Sequence, residues 1–224
     1  MPKDQRARTR ISASGSQLRW IAAVTVSYIV AASIYAISHG NREFVFYIIV
    51  MLVLMGCVFA LHMRVRLGAA LLWSLSAWGL LHMAGGLLHV PDHWPTDNGT
   101  VLYNLWLIPG RFKYDQLVHA FGFGITTWLC WQGLSAAIAS QSSAPPRPTP
   151  GLMVLCAAGG MGFGALNEVV EFFATLSIPK TNVGGYTNTG WDLVANLVGS
   201  AIAAAIILCA GQPSDDASSA SGRS

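Results

Sequence analysis

Residues 44–63 read FVFYIIVMLVLMGCVFALHM, twenty residues without an aspartate, glutamate, lysine or arginine. A helix of that length, at 1.5 Å per residue, covers the ~30 Å hydrocarbon layer of a bilayer. Closed barrels are the other way to satisfy a backbone in lipid, but nothing here alternates with period two. Working outward, five comparable runs appear at 18–38, 68–90, 115–139, 151–176 and 191–211. The sequence therefore predicts an all-α, polytopic membrane protein: a six-transmembrane-helix bundle over 18–211. A basic tail (1–17) precedes it, and a tail rich in Ser, Ala and Asp (212–224) follows, read as disordered.

The composition of the 224-residue chain agrees, with 53% hydrophobic and 10% charged residues and a mean hydropathy of +0.49. Soluble domains carry about 25% charged residues. A nucleic-acid-binding module, a disordered chain and a secreted disulfide scaffold are excluded on this ground. The formal charge of +3 does not mark a nucleic-acid surface, because Lys3, Arg6, Arg8, Arg10 and Arg19 flank the first span.

That first span is too long for the apolar core of a signal peptide and lacks a small-x-small cleavage site before His39, so it reads as a retained signal anchor. With the N-terminus inside, Lys3, Arg6, Arg8, Arg10, Arg19, Arg64, Arg66, Arg147 and Arg223 are cytoplasmic. Arg42, Arg111, Lys113 and Lys180 face out. This bias places both termini on the cytoplasmic side of a bacterial-type inner membrane. Cys57, Cys130, Cys156 and Cys209 then fall in the inner halves of their spans and read as apolar fillers. The proline-rich run 142–150 reads as a stiff connector, and the aromatic run 91–114 as a segment lying at the membrane interface.

Charged groups at membrane depth cost a few kcal/mol or more and are functional candidates by default. They are His82 and His89 in the third span, Asp115 and His119 in the fourth, Glu168 and Glu171 in the fifth, and Asp192 in the sixth, accompanied by Asn167 and Asn196. Under the predicted topology they converge on one depth near the outer surface. Spacings of three, four and seven keep each set on one helix face. Asp115-x3-His119-x2-Gly122 and Asp192-x3-Asn196-x2-Gly199 share a pattern, each after an aromatic residue. Gly160 and Gly164 lie in phase with Asn167, Glu168 and Glu171, where small residues allow close backbone approach.

With Asn167-Glu168-x2-Glu171-Phe172 and Asn188-Thr189-x-Trp191-Asp192, these motifs resemble the YjdF-type predicted inner-membrane proteins over about residues 70–210. More distantly the chain is similar to VanZ-like proteins, from which it departs by Glu171 in place of Gln and by lacking an arginine in the loop after the fifth span. The first resemblance implies no established activity, and the departures weigh against carrying over an antibiotic-resistance role.

Chemically, Asp115, His119, Glu168, Glu171, Asp192 and Asn196 read as a candidate catalytic set. His82, His119, Glu168 and Asp192 are candidate ligands for a divalent Zn, Mn or Fe ion, since imidazole and carboxylate without thiolate suit those metals. Arg111, Lys113, Tyr114 and Asn188 are candidate substrate-binding residues at the outer mouth. A metal- or acid–base-dependent hydrolase or transferase acting on a lipid or lipid-linked substrate fits this set. The same groups could instead form a hydrogen-bonded plug in a lipid- or subunit-binding protein, or line a small transporter. His-Glu-x2-His and the Glu-x2-His pair of di-iron bundles are both absent.

Overall fold

The computed structural model describes residues 12–97, 99–142 and 146–211. The tail after Gly211, most of the basic N-terminal tail and part of the 142–150 connector lie outside the described residues. Among those described, six helices make up the fold: α1 (Gly15–Ser38), α2 (Arg42–Val65), α3 (Ala69–Leu87), α4 (Tyr114–Ala139), α5 (Pro150–Ser177) and α6 (Tyr186–Ala210). Five of them, all but α4, are long and apolar enough to cross a membrane. Large apolar side chains such as Ile37, Phe59, Leu155 and Ile206 stand exposed along them, as lipid-facing residues do.

The exception has a physical reason. α4 packs against α3, α5 and α6, most extensively against α6. A helix so enclosed needs little lipid-facing surface, and α4 accordingly buries Gln116, His119, Thr126 and Thr127. Its polar content lowers its hydropathy because its neighbours, not lipid, are its solvent.

Helix ends follow local sequence. α1 begins earlier than predicted, inside the expected tail, because Ser14 and Gln17 form a reciprocal capping box. α5 starts at Pro150, where Thr149 accepts from the Leu152 amide. α3 is shorter than predicted. It stops at Leu87, and His89 leaves the helix to pair with Val101 in an antiparallel bridge. His82 and His89 therefore do not share a helix face.

The segment between α3 and α4 is a folded cap. It holds a 3-10 turn (Leu102–Asn104) and a hairpin pairing β1 (Trp106–Ile108) with β2 (Phe112–Lys113). Gly110 supplies the positive φ of 66° that the hairpin turn requires. Val101 and Leu105 are buried beneath the cap, whereas Leu107 and Ile108 are exposed. Of the four cysteines only Cys156 is buried; Cys57 and Cys209 are on the exterior, so the filler reading holds for Cys156 and not for those two.

A second strap closes the same end of the bundle. Glu43, buried in the first turn of α2, accepts from the Asn182 amide N–H at 3.0 Å and from its side-chain Nδ2 at 2.9 Å. This pins the α5–α6 connection across the bundle. Hydrogen bonds to a charged group contribute about 1.5–3 kcal/mol. Glu43→Ala is expected to raise amide hydrogen exchange across 178–185 while leaving the interior of α4 protected.

Candidate functional site

α4 and α6 both start at the capped end and run the same way, with α5 returning between them. Their matched motifs face one another. His119 Nδ1 lies 3.1 Å from Asn196 Oδ1, pairing the fourth residues after Asp115 and Asp192. The amide oxygen can only accept, so Nδ1 carries the proton and a neutral ring keeps its lone pair on Nε2. Asn188, in the first turn of α6, donates through Nδ2 to Asp192 Oδ2 and, at 3.3 Å, to Asp115 Oδ2. One amide thus ties together the two aspartates that open the motifs.

Glycine allows this approach. A Cβ on Gly199 would fall 1.8 Å from the Ala120 carbonyl oxygen, and one on Gly122 would fall 2.1 Å from the Trp78 ring. Gly160 makes room for Thr127 and Ser200. A Cβ on Gly164 would lie 2.6 Å from Asn196 Nδ2. Gly164→Ala is therefore expected to push the Asn196 amide off His119. At metal-bound imidazoles, loss of such an orienting partner costs about 10–100-fold in metal affinity. Calorimetric Mn2+ titration of the folded variant checks it.

The site itself is a shared imidazole among acids. His119 Nε2 is 3.6 Å from Asp115 Oδ1, and Nδ1 is 3.7 Å from Glu168 Oε1. Two sets of ligand atoms each lie within 4.8 Å of one another: Asp115, His119 and Asp192, and His119, Glu168 and Glu171. His119 is 5% exposed, and Asp192 and Asn196 are 0% exposed. Among the described residues the buried Glu168 carboxylate has only the side chains of Thr189 and Asn167 near it as donors, and Asp192 Oδ1 and Asn196 Nδ2 are buried without a hydrogen-bond partner. A buried polar atom in that state costs about 1–3 kcal/mol, more when charged. Glu171 takes only a neutral bond, from Asn167 Nδ2 at 2.8 Å.

Of the predicted residues, Asp115, His119, Glu168, Glu171, Asp192 and Asn196 come together. His82 stands outside both sets, since its Nδ1 is 2.5 Å from the Tyr103 hydroxyl. Tyr103 comes from the cap and also donates to the His82 carbonyl at 2.9 Å. Its phenol is held well above its usual range, chiefly by burial and then by Asp115. Tyr114 turns away and donates to the Leu81 carbonyl at 3.0 Å. Lys113 reaches inward to Asn188 Oδ1 and lies 3.6 Å from Asp97. Arg111 lines an outer cleft of about 720 Å³, together with Lys113 and Asn188. Below that cleft a chamber of about 40 Å³, bounded by Tyr47, His82, Tyr103, Asp115 and Glu171, has room and polar walls for water.

Two contributors were missed in the sequence. Tyr103 is one aromatic among several in a loop, with nothing in its spacing to single it out. Glu43 carried a signal, an acid opening an otherwise apolar helix, but its partner Asn182 is remote in sequence.

A family model for a predicted membrane protein, DUF2238, matches residues 19–212. The chain belongs to this family. It is the YjdF-type group to which the motifs pointed; the VanZ likeness is not shown. The match takes in all six helices apart from the first turn of α1, and hence every residue of the polar cluster. No curated protein and no solved structure matches the chain.

Proposed function

We propose that this membrane protein is an enzyme whose active centre is the His119 cluster, acting on a lipid or lipid-linked substrate that enters from the capped end. The observation that carries the reading is the set of buried, unpartnered polar atoms converging on one imidazole. A plug built only to hold helices together would leave fewer such atoms orphaned. In this reading His119 Nε2, Asp115 and Asp192 hold a divalent Zn, Mn or Fe ion, with Glu168 beside the protonated Nδ1, and Asn196 fixes the imidazole tautomer. When bound, such an ion supplies positive charge that polarises an ester or phosphoryl oxygen. Glu171, beside the water-sized chamber, is placed to take a proton from water, and Asn188 orients the two aspartates.

The inner halves of the helices support a dead-end site over a transport path. Thr126, Thr127 and Ser200 direct their hydroxyls to the carbonyls of Gly122 and Phe123. The reading also takes α4 as a sixth span and the N-terminus as cytoplasmic, in an inner membrane. The test incubates metal-loaded protein with a panel of phospholipids and isoprenoid phosphates and reads products by mass spectrometry. One substrate is expected to be consumed by the native protein and spared by Glu171→Gln. A panel left intact by metal-loaded protein contradicts the proposal.

A further inference from the structure

The outer cleft carries a feature that the ion-binding cluster does not use. Arg111 and Lys113 both line it, on the turn and the second strand of the hairpin respectively, opposite the start of α6. Lys113 is 5% exposed; its ammonium donates to Asn188, lies 3.6 Å from Asp97 and sits 5.9 Å from the centre of the Trp106 ring. An ammonium has three donors. Arg111 has no side-chain hydrogen bond or ion pair among the described residues. Across the cleft, α6 begins at Tyr186, with Gly185 as an N-cap that offers no side-chain cap. Gly184, Tyr186 and Thr187 at that helix start line the same space. Trp106 and Trp191 also line the cleft, as aromatic residues do at headgroup depth.

We infer that this cleft binds a phosphate-bearing group, with Lys113 and Arg111 as its cationic contacts, and so sets the substrate class of the site. The inference rests on the proposed function in one respect: Asn188 joins the Lys113 ammonium to Asp115 and Asp192, so a phosphate held there lies at the entrance to the His119 cluster. Four carboxylates lie beneath it. Without a cation among them they repel a phosphate; with one, the two ligands favour each other, and the coupling is reciprocal.

The experiment titrates detergent-purified protein, with and without Mn2+, by calorimetry with inorganic phosphate and separately with a short-chain phosphatidic acid. Both probes are expected to bind, more tightly in the presence of Mn2+. Arg111→Gln, an exposed substitution that leaves the fold intact, is expected to weaken both about tenfold or more, as loss of a charge-assisted contact does. Lys113→Gln is expected to act in the same direction. Tighter binding of the lipid probe identifies a lipid phosphate as the source, and equal binding identifies the phosphate alone. If the protein holds Mn2+ but neither probe binds, or both bind the Arg111 and Lys113 variants unchanged, the anion site is overturned and the metal centre stands. If phosphate binds in an Arg111-dependent way to protein that takes up no Mn2+, the anion site stands and the metal centre fails.

Discussion

On the proposed function, His119→Ala is expected to abolish binding of a divalent ion at the cluster. The imidazole offers Nε2, 3.6 Å from Asp115, to the set that Asp192 completes, so its removal leaves that set with two carboxylates only. Losing an orienting partner costs 10–100-fold in affinity, and losing the imidazole ligand is expected to cost at least about 100-fold. Asp192→Asn replaces a fully buried carboxyl ligand by a neutral amide and is expected to weaken binding less than His119→Ala does. Cys57→Ser, on the exterior, serves as the control and is expected to leave affinity unchanged. Mn2+ titrations of folded variants check the ranking. If His119→Ala binds Mn2+ as the native protein does, the assignment of the site fails.

Gly199→Ala is expected to be the most disruptive single substitution in the bundle. The added Cβ would meet backbone, the Ala120 carbonyl oxygen at 1.8 Å, which no rotamer change can relieve. α4 and α6 would have to separate along their closest contact, where Gly124 in turn packs on the Gly199 carbonyl. Overpacking of this kind typically costs about 1–3 kcal/mol. Moving the helices apart also pulls Asn196 from His119, so both thermal stability in detergent and Mn2+ affinity are expected to fall. Gly162→Ala, where a Cβ meets nothing within 4 Å, is expected to be neutral. Equal melting temperatures for the two variants would contradict the close helix crossing.

Much of the cluster was legible because it is helical and local. Asp115 with His119, Asp192 with Asn196 and Glu168 with Glu171 obey helix spacing, and the expense of polar groups in lipid marks them. The phase of Gly122, Gly160, Gly164 and Gly199 likewise pointed to close packing, because small residues there have no other use. Periodicity says nothing about the cap, where His89 leaves its helix for Val101 and Tyr103 takes His82. Those pairings depend on where the chain turns, at Gly99 and Gly110, and on contacts between distant segments. The strap from Glu43 to Asn182 joins residues 139 apart and was invisible for the same reason. Tyr114 and Asn188 were read alike as mouth residues, yet α4 and α6 begin at Tyr114 and Tyr186 and turn one side chain towards Leu81 and the other into the aspartates.

The central claim, that the cluster around His119 is an ion-binding centre and not a helix-locking plug, is tested most directly by elemental analysis of the native protein purified gently into lipid nanodiscs. About one Zn, Mn or Fe ion per chain, retained through chelator-free buffer exchange, is the predicted result. A protein free of transition metal that also fails to take up Mn2+ or Zn2+ on titration would contradict it.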